Sequence, residues 1–217
     1  VEWELLASLS AEDRSTFLGL GRSRAFARNE VVCHAGDPAD SLHLVTGGRL
    51  GVRVSLPSGD TAMINVLGAG RYFGELALLR DDGQRTATIT ALEPSTTLAI
   101  TYTAFRRLCA ERPSVEQTLS TLMADRIDEL SQRVLELSYI GLDRRINRRL
   151  LELSEDAAGD APVLISLTQT QLGELTGGTR PTVNQSLQRL ADQGIVALGR
   201  GRIEVLDVPR LRAKCGY

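Results

Sequence analysis

Residues 74–87 read GELALLRDDGQRTA. Gly74 is a turn former, Glu75 a carboxylate, and Leu76, Ala77, Leu78 and Leu79 a small apolar run before Arg85, Thr86 and Ala87 close the stretch. A surface loop has no need of four consecutive small or apolar side chains. A core strand does not tolerate Glu75 and Arg85. A segment that meets both demands is suited to hold something polar inside an apolar frame.

The flanking sequence says what the frame is. From Ala25 to Ile100, short alternating runs such as SLHLVTGGRLGVRVSL (41–56), TAMINVLGAG (61–70) and TATITALEPSTTLAIT (86–101) are separated by Gly, Pro, Asp and Ser. Period-two runs broken by turn residues predict many short antiparallel strands in a sandwich or barrel. LPSGDTA (56–62) reads as a hairpin turn. Before this region, WELLASLSAEDRSTFLGLG (3–21) reads as short helices, with Ser10 as a cap and Asp13 three residues on.

After Pro113 the period changes. Val115 to Ile140 contains neither Pro nor Gly, enough for a helix of about 25 residues and about 38 Å. Met123, Ile127, Leu130, Val134 and Leu137 are spaced 4, 3, 4, 3, a heptad seam narrower than an ordinary amphipathic stripe. Such a seam predicts pairing with the same helix of a second copy, a homodimer through residues 115–140. Gly141 ends the helix, and Asp143 is expected to cap the next one, which carries Arg144, Arg145, Arg148 and Arg149.

Residues 166–190, SLTQTQLGELTGGTRPTVNQSLQRL, carry a second constellation. Thr168 with Gln171 forms a capping box, TGG makes the tight turn of a helix-turn-helix, and Thr179 is expected to cap a second helix that tolerates Pro181 in its first turn. Val183, Leu187 and Leu190 would face inward. Arg180, Thr182, Asn184, Gln185, Gln188 and Arg189 lie on the opposite face, where they can read base edges. With Thr168 and Gln169 at the start of the first helix, and Arg200 and Arg202 in a wing-type hairpin over 195–206, this predicts binding to double-stranded DNA. A helical hairpin with a solvated polar face is the plainer alternative.

Composition narrows the rest. The 217 residues allow one large or two modest domains, and 42% hydrophobic with 24% charged residues is ordinary for a globular protein. No apolar run is long enough to span a membrane and no signal-peptide pattern opens the chain, so a cytoplasmic location is expected. Three separated cysteines, Cys33, Cys109 and Cys215, fit a reducing compartment and lack ligand spacing, so no metal, haem or iron–sulfur cluster is expected. His34 and His43 are expected to be surface or half-buried structural residues. Residues 1–139 hold 14 basic and 18 acidic side chains, and residues 140–217 hold 11 and 9, a mild positive tilt toward the DNA-reading end. No nucleophile–base pair suggests an enzyme.

A β-roll, a long dimer helix and a winged helix-turn-helix together resemble the Crp/Fnr family of bacterial regulators over essentially the whole chain. The resemblance implies an α+β protein with three parts. These are a cyclic-nucleotide-binding β-roll (a jelly roll) with flanking helices over 1–113, the dimerisation helix and hinge over 114–142, and the winged helix-turn-helix over 143–217. It is most specific at residues 73–87, which look like the family's phosphate-binding cassette, with its ten-residue step from Glu75 to Arg85. By that resemblance Glu75 accepts from a ribose 2′-hydroxyl and Arg85 pairs with a cyclic phosphate, with Gly74, Leu76, Ala77, Thr86 and Ala87 around them. The effector so implied is cyclic AMP.

Departures from the family pattern carry their own expectations. Leu130 and Ser131 occupy the positions that contact adenine in the cyclic-AMP receptor, and Leu130 has no group for a purine to bond. Thr86 leaves cyclic GMP open as effector. In the recognition helix Arg180 is kept, but Pro181 and Gln185 stand where relatives carry Glu and Arg, which predicts an altered half-site. The loop SEDAAGDAP (154–162) lies where relatives touch RNA polymerase. A same-fold regulator with a degenerate pocket and constitutive DNA binding is the rival reading.

Overall fold

The computed structural model describes residues 3–7, 9–78, 83–155 and 162–216. They form two compact units, Val1–Thr61 with Asn65–Leu130, and Ala62–Ile64 with Ser131–Tyr217. The division falls inside one long helix, so that helix is shared between units.

In the first unit a 3-10 turn (Glu4–Leu6) and helix α1 (Ala11–Gly19) lead into eight strands. These are β1 (Arg22–Phe26), β2 (Val31–Cys33), β3 (Ser41–Gly47), β4 (Leu50–Ser55), β5 (Thr61–Leu67), β6 (Tyr72–Phe73), β7 (Thr88–Ala91) and β8 (Ser95–Thr101). A second 3-10 turn, Glu75–Leu78, follows β6. Helices α2 (Tyr102–Glu111) and α3 (Pro113–Tyr139) close the unit, α3 running on into the next. The strands make two four-stranded sheets, ordered β1-β8-β3-β6 and β2-β7-β4-β5. Phe26, Val45 and Phe73 of the first sheet and Leu50, Leu67, Ile89 and Ala91 of the second share one buried cluster, which makes the pair a roll.

Strand β3 shows why this sequence folds so. SLHLV (41–45) is buried throughout, because both faces of the strand are covered. Leu42 and Leu44 pack outward with Leu5, Leu6, Phe17, Ile100, Phe105, Leu108 and Val115 under the helices. Ser41, His43 and Val45, on the other face by the period of two, turn into the roll. The Ser10 hydroxyl accepts from the Asp13 amide at 3.1 Å, capping α1 as expected. Helix α2, capped by Thr101, was not singled out by the sequence pattern.

The second unit contains α4 (Leu142–Glu155), β9 (Val163–Ile165), α5 (Gln169–Thr176), α6 (Arg180–Asp192), β10 (Val196–Gly199), β11 (Arg202–Val205) and α7 (Val208–Lys214). Its core is Ile146, Leu150, Ile165, Leu167, Leu172, Val183, Leu187, Ile195 and Leu211, each almost fully buried. The wing hairpin β10–β11 gains a third strand, β9, which the sequence pattern did not reveal, because three residues carry too little periodicity. Asp143 is not the cap of α4: the helix begins at Leu142, and Asp143 sits in its first turn. Most of the loop after Glu155 lies outside the described residues, including 156–161 of the segment expected to meet polymerase.

Candidate functional site

The cassette at 74–87 is built by backbone first. Gly74 follows β6 with φ of 97°, a conformation that disfavours a side chain. A Cβ there would stand 2.5 Å from Arg85 Nη1 and 2.6 Å from the Ser41 carbonyl oxygen. The Tyr102 hydroxyl donates to the Gly74 carbonyl, tying the turn to the start of α2. Arg85 is pinned by main chain on both sides: its amide donates to Asp37 O at 2.9 Å, and its carbonyl accepts from the Gly36 amide at 2.8 Å. The neighbouring Gly83 carbonyl accepts from the Ala39 amide at 2.7 Å.

Held this way, the Arg85 side chain lies inside the roll, 8% exposed. Its Nη2 donates to Ser41 Oγ at 3.1 Å and stands 3.5 Å from Asp40 Oδ1. Its Nε and Nη1 are buried with no hydrogen-bond partner. A buried guanidinium with unanswered N–H groups is costly and rare, since each such group forfeits the water it gave up. The arrangement suits a ligand that brings acceptor oxygens and one negative charge.

Glu75 begins the 3-10 turn. Burial raises its carboxyl above the usual range, while the amides of Glu75 and Gly74, together with Arg126 and Arg85, partly oppose that rise. The Glu75–Arg85 salt bridge that could have stabilised an empty roll is not formed among the described residues; Arg85 turns to Ser41 and Asp40 instead. Thr86 is exposed and Ala87 half-buried. Leu76 is 40% exposed at the turn, while the side chain of Ala77 lies outside the described residues. Leu130 and Ser131 lie on the exposed side of α3.

Four residues near Arg85 escaped the sequence reading: Ser41, Asp40, His43 and Tyr102. The alternation of SLHLV could have placed Ser41 and His43 on one face, but not beside an arginine 44 positions away. His43, expected as a surface or half-buried structural residue, is more deeply buried than that, 2% exposed, and stacks on Phe73 with ring centroids 4.6 Å apart. Arg126, on α3, interacts electrostatically with Glu75. Among the described residues no group of three or more His, Cys, Asp or Glu could hold a metal ion.

The second constellation is the helix pair α5–α6. Thr168 and Gln171 complete the capping box, each side chain meeting the other's amide. Gly177 ends α5 in the left-handed region with φ of 66°, which is why the turn carries glycine. Thr179 occupies the cap position of α6 without capping it, its hydroxyl bonding that of Thr182 at 2.9 Å instead. Arg180, Thr182, Asn184, Gln185 and Gln188 are exposed on one face, with Val183, Leu187 and Leu190 buried on the other. Gln169 donates to Asn184 Oδ1 at 2.9 Å, so the two form a single polar unit. Arg200 and Arg202 are exposed in the wing.

Three of the arginines before the helix-turn-helix have partners within the protein. Arg145 donates to the carbonyls of Leu137 and Ile140, at the end of α3, and of Thr176, at the end of α5. Arg148 pairs with Glu136 at 2.7 Å and Arg149 with Glu152 at 2.8 Å. Arg189, expected among the base-reading side chains, pairs with Asp143 Oδ1 at 2.6 Å, and the same oxygen accepts from Ser186 at 2.8 Å. Arg145, Arg148 and Arg189 thus tie α4 to the end of α3 and to the helix pair, while the Arg149–Glu152 pair lies within α4.

Residues 23–112 match the cyclic nucleotide-binding domain, and residues 144–214 match the Crp-like helix-turn-helix domain. A cyclic AMP receptor protein from Thermus thermophilus is 30% identical over 95% of this chain and 94% of its own. The chain belongs to the Crp/Fnr family of transcription regulators. A cAMP-activated global regulator of this family from Mycobacterium tuberculosis is 27% identical over 86% of this chain and 84% of its own. The crystal structure of the Thermus thermophilus catabolite activator protein covers 98% of both chains at 29% identity, with a TM-score of 0.56. FixK2 from Bradyrhizobium japonicum shares the fold at 18% identity and a TM-score of 0.75, over 91% of this chain and 98% of its own. As a Crp/Fnr member the protein is a DNA-binding regulator and no enzyme. Its helices include none long and apolar enough to cross a membrane, among the described residues.

Proposed function

We propose that this Crp/Fnr regulator is switched by a cyclic mononucleotide held at Gly74, Glu75, Leu76, Ala77, Arg85, Thr86 and Ala87, with cyclic AMP the first choice and cyclic GMP left open. The observation that carries the reading is the buried, half-answered guanidinium of Arg85, with Nε and Nη1 lacking acceptors. A cyclic phosphodiester brings a single negative charge and two exocyclic oxygens, which matches one cation with spare donors. Glu75, raised by burial, would accept or share a proton with a ribose hydroxyl, and Arg126 on α3 would hold its charge. Leu130 and Ser131 would face the base.

The regulator would act as a cytoplasmic homodimer through residues 115–140. Supporting that is the exposed seam of α3, where Ile127 is 64% and Val134 62% exposed in the single chain. Arg180, Thr182, Asn184, Gln185 and Gln188 would read an operator whose half-site departs from that of relatives, with Thr168, Gln169 and Thr179 on the phosphate backbone and Arg200 and Arg202 from the wing. The 154–162 loop would meet RNA polymerase. The nucleotide would act by favouring the DNA-competent state.

Calorimetry with cyclic AMP and cyclic GMP on wild type and Arg85→Leu tests the effector. Binding to the wild type is expected, lost in the variant. If neither nucleotide binds the wild type, the effector reading fails; unchanged binding to the variant would mean the ligand sits elsewhere.

A further inference from the structure

Arg85 is not held by the cassette alone. Behind it, on the inner face of the sheet containing β3, runs a line of hydrogen bonds. The Ser41 hydroxyl donates its one hydrogen to Asp40 Oδ1 at 2.7 Å. The Ser41 oxygen can then only accept, and two donors reach it: Arg85 Nη2 at 3.1 Å and His43 Nε2 at 3.1 Å. The ring proton of His43 therefore sits on Nε2. Nδ1, left as acceptor, takes the Thr97 hydroxyl at 3.0 Å. Every polar atom of Ser41 and His43 is matched, and the His43 ring is clamped face to face on Phe73.

Burial, followed by the nearby charges of Arg85 and Arg24, lowers the His43 pKa to about 4, with Asp40 opposing. The ring is thus a neutral donor near pH 7 and adds no second charge beside the guanidinium. Its effect on Arg85 is geometric. Ser41, fixed from three sides, engages Nη2, while Nε and Nη1 stay without protein partners and Gly74 leaves room in front of Nη1. A guanidinium anchored at one nitrogen cannot rotate to meet an anion at will. It presents the same two nitrogens each time.

We propose that Asp40, Ser41 and His43 form a positioning chain for Arg85, and that through it the pocket distinguishes between the two exocyclic oxygens of the cyclic phosphate. The proposal rests on the cyclic-nucleotide reading above and adds residues and a stereochemical preference to it. Ser41 and His43 act through Arg85 and need not touch the ligand.

The test uses the Sp and Rp phosphorothioate diastereomers of cyclic AMP, in which one or the other exocyclic oxygen is sulfur. Binding of cyclic AMP and of both diastereomers is measured by calorimetry on the full chain, with circular dichroism and thermal melting to check folding. The wild type should prefer one diastereomer. Ser41→Ala, which removes the acceptor of Nη2, should bind cyclic AMP roughly tenfold more weakly, and its diastereomer ratio should fall toward one. Ser41→Thr, which keeps the hydroxyl, should restore both. His43→Phe keeps the stack on Phe73 but removes the donor, so its ratio should fall as well. His43→Gln, whose Nε2 can replace the ring N–H, should keep it. Should Ser41→Ala not fold, the His43 pair carries the test alone. A general loss of packing would weaken both diastereomers equally and leave the ratio intact. That outcome, or a wild type that binds the two alike, overturns the proposal while leaving the effector reading in place, provided that Arg85→Leu loses cyclic AMP. A wild type that binds no cyclic nucleotide overturns both.

Discussion

The neutral, buried state of His43 has a consequence for acid stability whose size follows from its surroundings. The ring is 2% exposed, and Arg85 and Arg24 oppose its protonation while only Asp40 favours it. Its pKa falls from 6.5 to about 4. For a base, this means that the unfolded chain takes up a proton between those values and the folded chain does not. Stability is therefore full above pH 6.5 and is lost as pH falls toward 4. From the two values the loss from this residue is about 2 kcal/mol at pH 5 and about 3 kcal/mol at pH 4. A loss of that size is a large fraction of the stability of an ordinary domain, about 5–15 kcal/mol. The perturbation is His43→Phe, which keeps the ring stack and removes the titration. It will be less stable at neutral pH, since Ser41 and Thr97 lose a partner, but the comparison does not depend on that offset. Urea denaturation of the first unit's signal from pH 7 to pH 4 should show the wild type losing ground on the variant by about 2 to 3 kcal/mol. The carboxylates titrate in both proteins and cancel. Parallel curves over that range would mean that His43 is not held neutral, and the donor assignment in the chain behind Arg85 would fall with it.

Other consequences can be checked independently. Gly74→Ala places a Cβ 2.5 Å from Arg85 Nη1 and 2.6 Å from a carbonyl oxygen at a φ of 97°, so a loss of about 1–3 kcal/mol in stability is expected by denaturation. Nucleotide affinity should drop further than stability does, because Nη1 must move aside; unchanged affinity would contradict the cassette geometry. Ile127→Ser with Val134→Ser removes two exposed apolar side chains from α3 and should shift the protein toward monomer by sedimentation, with little change in the far-ultraviolet signal of the single chain. A dimer of undiminished strength would place the interface elsewhere. For DNA, Arg180→Ala should cost about 1–3 kcal/mol at one base position in a binding-site selection. Arg200→Ala should weaken all sequences alike and lower the salt slope by about one. Equal sequence profiles for both variants would argue against the assigned roles.

Much of the architecture was legible in the sequence because it rests on local, periodic signals. Alternation broken by turn residues announced the strands of the roll, the 4-3-4-3 seam the long helix, and Thr168 with Gln171 a capping box that the structure completes. Where the reading slipped, a short or distant interaction had decided the outcome. Thr179 and Asp143 have the side chains of caps, yet Thr182 takes the hydroxyl of one, and Arg189 and Ser186 the carboxylate of the other. The arginines at 145, 148 and 149 form a basic run in sequence, and only the fold shows that backbone carbonyls, Glu136 and Glu152 meet them.

The sequence by itself determined the fold class and the order of the parts, since each is written in spacing and residue type along the chain. Tertiary structure alone decided what Arg85 does. Its main chain is set by residues 36 and 37, its Nη2 by Ser41, and its freedom in front by Gly74. Those contacts join segments up to 49 residues apart in the chain, most of them in the loops between strands. No local period encodes which side chains meet across a closed roll, because that depends on the register of the sheets and on how little room remains once both faces of β3 are buried.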